Sequence, residues 1–249
     1  MPHGRKFFTL SFDDGITQDR RIIELCKKHG FGGCTFNINT GLCGESWVWV
    51  GESLGRPDVS HIRFTENELR QGVYDGFDIQ VHTLTHPSLK AFDSSPQELA
   101  REINGDARNI FEFTGHRPSG LAWPGGDGEY TGRTVELVLQ MTDMRFAMAT
   151  APTYRFDLPE CFMDWHPTCS IIDPELPRLA EEFIDLRRDC DSLFFVWGHG
   201  YELDIYDAYD RLEQLIIRMT SAPDIERVSS GELFQIYKNA IPSQRKESI

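Results

Sequence analysis

Read for apolar and polar positions alone, the chain alternates between two periods. Short apolar, β-prone runs cover Lys6–Phe12, Gly33–Ile38, Phe77–Val81, Gly120–Trp123, Arg145–Ala149, Ser192–Trp197 and Ile225–Val228. Between them lie stretches with apolar residues at helical spacing, such as Ile22, Ile23, Leu25 and Cys26, or Leu99, Ile103, Ala107 and Ile110. Helix starts are marked by Thr65-x-x-Glu68, by Ser95-Pro96-Gln97-Glu98, by Asp173-Pro174 and by Ser229-Ser230; Gly30 and Gly115 mark helix ends. Regular alternation of this kind predicts a parallel sheet covered by helices, with about seven strand–helix units. No composition break suggests a linker, so residues 1–249 are expected to form one domain, its motif-bearing part running from about 6 to 240. Two long segments break the rhythm. Asn39–Phe64, with Trp47 and Trp49, reads as the wall of a substrate groove, and Thr150–Cys169 as irregular.

Unusual polar residues collect where the apolar runs stop. Asp13-Asp14-Gly15 ends the first, His82-Thr83-Leu84-Thr85-His86 the third, Pro124-Gly125-Gly126 the fourth and Gly198-His199-Gly200 the sixth. In parallel α/β folds the C-terminal ends of the strands carry the active site. Two adjacent carboxylates need a cation or a proton between them. His82 and His86 fall four apart, a spacing that puts both rings on one face of a helical turn, although Pro87 limits that turn to one. With Asp14 they make a two-histidine, one-carboxylate metal set that leaves open positions for water and substrate. Asp13 is then available as the base for the attacking water, and His199 as the acid that protonates the leaving group.

Composition narrows the partners. A formal charge of −14 argues against nucleic acid or an acidic membrane face, and no apolar run approaches a membrane span. The start Met1-Pro2-His3-Gly4-Arg5-Lys6 carries no signal-peptide core, which leads to the expectation of a cytoplasmic protein. Six cysteines without a Cys-x-x-Cys pair read as core thiols. No oligomeric state follows from the sequence.

Ser11-Phe12-Asp13-Asp14-Gly15, His82-Thr83-Leu84-Thr85-His86, Ala122-Trp123-Pro124-Gly125-Gly126 and Trp197-Gly198-His199, in this order, resemble the motifs of the polysaccharide deacetylases of carbohydrate esterase family 4. The resemblance covers about Phe7 to Phe234. It implies an incomplete (β/α)7 barrel and metal-dependent hydrolysis of N-acetyl groups from an amino sugar or other saccharide. It also implies Asp13 as base, His199 as acid, and one divalent ion on Asp14, His82 and His86: zinc, or cobalt, manganese or iron in its place. Three departures stand out. Ala122 occupies the position of the arginine that orients the base, with Arg117 the nearby substitute, and Gly125 replaces a tyrosine, leaving its N–H for an oxyanion. Trp197 replaces a leucine that lines the acyl pocket. Asp164 matches the aspartate that orients the acid, and Trp123, Pro124, Gly125, Trp165 and Trp197 are the expected substrate contacts. Three other readings stand beside this one: a C–N hydrolase of small cyclic amides or ureides, a non-catalytic carbohydrate-binding protein, and an iron oxygenase.

Overall fold

Every side chain of β1 (Lys6–Asp13) is buried, but its two faces bury different chemistry. Phe8, Leu10 and Phe12 pack with Ile22 and Cys26 of the following helix in the main core. On the other face, Phe7 joins a second cluster with Phe146, Phe162, Trp165, Phe195 and Phe234, and the positions above it turn polar: Thr9, Ser11, Asp13. This period of two separates an outer face that meets helices from an inner face that is apolar at the bottom and reactive at the top.

The computed structural model of the protein describes residues 4–244. Both the extreme N-terminus and the end of the polar tail after Pro242 lie outside the described residues. The further strands are β2 Cys34–Ile38, β3 Asp78–Val81, β4 Gly120–Ala122, β5 Phe146–Met148, β6 Cys169–Ser170, β7 Ser192–His199 and β8 Ile225–Arg227. All pairings are parallel, and the sheet runs β5-β4-β3-β2-β1-β7-β6. It curls into an incomplete (β/α)7 barrel. Trp165–Ile171 spans the open side: Trp165 exchanges backbone bonds with Ala147 and Ala149, while Thr168 and Ile171 bond to Phe195 and Trp197 of β7.

Seven strands make the wall, but not the expected seven. The predicted strand at Ile225–Val228 forms as β8, yet it pairs only with the lower part of β1, Lys6–Phe8. The seventh wall strand is the two-residue β6, inside or beside what reads as irregular sequence. Two residues are too few to show a period, so only their partners identify them as strand.

The helices are α1 Asp19–Lys28, α2 Trp49–Ser53, α3 Glu66–Arg70, α4 Pro96–Thr114, α5 Gly132–Met141, α6 Leu176–Asp185, α7 Gly200–Ile205, α8 Tyr209–Ser221 and α9 Ser230–Tyr237. Thr65 forms the expected capping box and Ser229 the expected cap, there closed into a box by Glu232, whereas Ser95 makes no side-chain cap and Pro96 alone opens α4. All six cysteines are free, four of them buried. Among the described residues, no helix is long and apolar enough to cross a membrane.

Candidate active site

The two aspartates at the end of β1 part company at one backbone step. Asp13 keeps strand geometry, in register with His199 on the neighbouring β7. Asp14 turns left-handed, φ 81°, followed by Gly15 at φ 66°. A side chain at such a φ costs about 1–2 kcal/mol and persists only where its surroundings hold it. They do: His61 Nε2 lies 2.9 Å from Asp14 Oδ2, and Arg63 Nη2 donates to Asp14 Oδ1 at 3.4 Å. Both come from the Asn39–Phe64 segment, so this wall also supports the site. Asp13 has a different partner. Asn37 of β2 donates from Nδ2 to Asp13 Oδ1 at 2.6 Å and to Ser11 Oγ at 2.8 Å.

His82 and His86 converge without a helical turn, which corrects the spacing argument. The chain leaves β3 and passes through left-handed Thr83 (φ 69°) and His86 (φ 56°), bringing the two ring centres to 4.8 Å. Pro87 disfavours helix at His86, and hydrogen bonds fix the alternative. His86 N–H donates to Thr83 Oγ1, and Thr85 N–H donates to the buried Glu102 carboxylate of α4 at 2.9 Å. Asp106, one turn further along α4, accepts from the backbone N–H of His82 and from Thr40. His82 Nδ1 is 3.0 Å from the carbonyl oxygen of Ala122, so that nitrogen carries the proton and the lone pair sits on Nε2. Nε2 is buried without a hydrogen-bond partner, 3.7 Å from Asp14 Oδ1; His86 Nε2 is 3.8 Å from the same oxygen.

His199 ends β7 with Nδ1 3.4 Å from Glu202 Oε2 and Nε2 3.9 Å from Asp14 Oδ2. Glu202 also accepts the His199 backbone N–H, closing a capping box at the start of α7. Asp164, expected in the role of Glu202, instead accepts from Tyr130 Oη and lies 3.0 Å from His166 Nε2. Arg117 stacks over Phe111 on the α4 surface and does not reach Asp13. Trp165 is 1% exposed, among Phe146, Phe162 and Phe195, and is core rather than rim. Trp123, Gly125 and Trp197 do line the cavity over the aspartates and histidines; Pro124 does not. Trp47, Trp49, His61 and Tyr201 also stand on its walls.

These surroundings set the charges. Burial pushes Asp13 up to about 6, against the pull of the His199 charge and the Asn37 bond. Burial pushes Asp14 the same way, but the His61 bond and the neighbouring imidazoles outweigh it and hold Asp14 well below the usual carboxylate range. Burial lowers His82 and His86 to about 4, so both are neutral at pH 7. Burial also disfavours the charged form of His199, but Glu202, Asp14 and Asp13 win and raise it to about 9. At neutral pH Asp13 and Asp14 are therefore carboxylates, His82 and His86 neutral imidazoles and His199 an imidazolium.

Asp14, His82 and His86 form the group of donors suited to an ion, all within 4.8 Å of one another. Two neutral imidazoles with free lone pairs and one firmly ionised carboxylate are what coordination requires. The His61 contact to the other Asp14 oxygen and the Ala122 contact to the other His82 nitrogen supply the outer shell that orients such ligands.

The family model for polysaccharide deacetylase matches residues 1–146, more than half of the chain. The chain belongs to the polysaccharide deacetylase family. It thereby joins a family of deacetylase hydrolases, and its barrel is that of its structural neighbours. A family 4 acetyl xylan esterase from Clostridium thermocellum, solved with a cobalt ion, superposes with a TM-score of 0.57 at 17% identity, over 96% of this chain and 94% of that one. The peptidoglycan deacetylase PdaC from Bacillus subtilis gives 0.55 at 18% identity, over 96% and 94%. A mutant of BA3943, described as a family 4 pseudoenzyme, gives 0.53 at 17%, over 98% and 70%. No curated protein matches the sequence. At these identities the likeness is one of fold. The family match ends before Glu202 and His199, so this deacetylase's acid side has to be read from its own residues.

Asn37, His61, Arg63 and Glu202 are the site residues that sequence reasoning missed. Asn37 did leave a trace: it is a polar residue in the middle of Cys34-Thr35-Phe36-Asn37-Ile38, two positions after Thr35 on the inner face. His61 and Arg63 left none, because their distance from Asp14 is closed only by the course of a long loop.

Proposed function

We propose that the protein is a metal-dependent deacetylase that removes the N-acetyl group of an amino sugar. The reading rests on one observation above all: a base and an acid on adjacent strands, Asp13 and His199, flank the Asp14, His82 and His86 donor group. A divalent ion on those three donors would polarise the amide carbonyl and lower the pKa of water. The chain's own residues then divide the proton work. Asp13, ionised at neutral pH and aimed by Asn37, takes the proton of the attacking water. His199, an imidazolium beside Glu202, gives its proton to the departing amine nitrogen. The N–H of Gly125, on the cavity wall, is the donor available to the carbonyl oxygen as it gains charge. Asn37 does for the base what the family's arginine does elsewhere, but without adding a positive charge.

Metal-loaded protein is expected to release acetate from N-acetylglucosamine oligomers, to stop on treatment with a chelator and to recover on addition of zinc or cobalt. An absence of release from every N-acetylated sugar by fully loaded protein refutes the reading.

Asn37→Ala is expected to lower kcat about 10–100-fold, the usual effect of removing an outer-shell partner, with KM and metal content unchanged. Steady-state kinetics with metal analysis checks it. A variant with unchanged kcat removes Asn37 from the mechanism.

A further inference from the structure

The cavity over the site has a definite size and a definite lining. Its volume is about 300 Å³, at the lower end of small-molecule sites. Its aromatic side chains come from opposite directions. Trp123 is fixed on one side by stacking on Tyr130, ring centres 4.4 Å apart, and by donation from Nε1 to the Met163 carbonyl. Trp47 is fixed on the other: it lies parallel to His61 at 5.5 Å, edge-on to His86 at 5.6 Å, with the Arg63 guanidinium 3.8 Å from its centre. Trp49 stands 5.8 Å from Trp47 and is 58% exposed at the mouth.

The segment carrying these tryptophans is tied down along its length. Ser46 bridges to Ile62, Gln18 donates to the Ser60 carbonyl at 2.6 Å, and Arg56 donates to the Ile205 carbonyl at 2.9 Å, at the end of the helix that follows His199. His61 of the same segment meets Tyr201 at 5.3 Å. The wall thus reaches from His86 on one side of the site to α7 on the other. An internal residue of a polymer needs an open path on both sides of the reacting ring, and here one side is occupied by a braced wall.

We propose that this enzyme takes a single N-acylated sugar ring, free or at the end of a saccharide chain, and excludes internal residues. Trp49 is the face on which that ring stacks as it enters. The inference rests on the deacetylase reading above and names which ring of the substrate reacts.

The test uses metal-loaded enzyme with N-acetylglucosamine and with its fully acetylated oligomers up to the hexamer, the products sequenced by mass spectrometry. Acetate is expected from the monosaccharide, and in the hexamer acetyl loss is expected only at an end ring. Loss from internal rings, or a rate that rises with length while the monosaccharide is inert, overturns the proposal. Trp49→Ala is expected to raise KM for the monosaccharide about tenfold with kcat within about twofold, and Trp49→Phe to recover most of it. An unchanged KM removes Trp49 from the site. If no sugar releases acetate, the deacetylase reading fails, and titration calorimetry with N-acetylglucosamine decides the pocket on its own. A saturable heat lost in Trp49→Ala retains the single-ring site, and no saturable heat overturns it.

Discussion

Replacing His199 by alanine is expected to lower kcat by about 10²–10⁴-fold, the range associated with loss of one general acid, while the protein still binds its metal. His199 lies nearly 4 Å from Asp14 and pairs with Glu202, so its loss subtracts a proton donor and leaves the three donors to an ion in place. The pH dependence of the wild type carries the same assignment. Asp13 must be unprotonated to accept a proton, so the rate rises with pH through its pKa. His199 must be protonated to give one, so the rate falls as pH passes its pKa. Without a bound cation these values are about 6 and about 9. A dication beside both groups favours the anion and disfavours the imidazolium, moving both limbs to lower pH. A bell-shaped kcat/KM profile with limbs below those values is expected, and His199→Ala should lose the alkaline limb. A variant that keeps the limb, or keeps the rate, removes His199 from the acid's role.

The companion substitution, His82→Ala, should act on the other half of the chemistry. Activity is expected to fall to background and bound metal to fall well below one equivalent per chain. His82 is 1% exposed, so truncation also leaves a cavity, and a lower melting temperature alone would prove nothing about metal. His82→Gln keeps most of the volume and loses the imidazole nitrogen; it too should lack metal while melting close to the wild type. Full metal content in a folded His82→Gln protein would show that the ion is held elsewhere.

The two variants therefore separate roles that lie only a few ångströms apart. Asp13 and Asp14 look interchangeable as two acids in a row. In the fold, one stays in β1 beside Asn37 and His199, and the other is turned out of the strand toward His61, Arg63 and the two histidines.

Strand-end chemistry was legible in the sequence because it depends on local signals. Each apolar run ends at a polar group, and a parallel sheet carries all such ends to one face whatever the details of its closure. That is enough to bring Asp13, Asp14, His82, His86 and His199 together and to exclude the scattered cysteines. It also gives the parallel sheet and its covering helices, since the alternation of periods is regular along most of the chain. The closure into a barrel was implied only by the family resemblance. Errors arose where a residue's role is set by what lies opposite it. Trp165 and Asp164 follow the chain order of a motif, but the segment that holds them crosses the open side of the barrel, which buries Trp165 and leaves Glu202 as the carboxylate beside His199. The two-residue β6 is a strand only through its bonds to β7, and β8 is no part of the wall because β2 already holds the upper edge of β1.

What the sequence determined by itself is the inventory: which residues are reactive, which strand each one ends, and that all of them share one face. What only the tertiary structure decided is the partners. The helix spacing of His82 and His86 gave way to two left-handed residues braced by α4. The vacancy left by Ala122 is answered by Asn37 from a neighbouring strand, and Asp14 is oriented by His61 and Arg63, about fifty residues further along. Local sequence carries propensities and periods. Which carboxylate meets which donor depends on sheet register and on the path of a long loop, and those are settled only when the whole barrel packs.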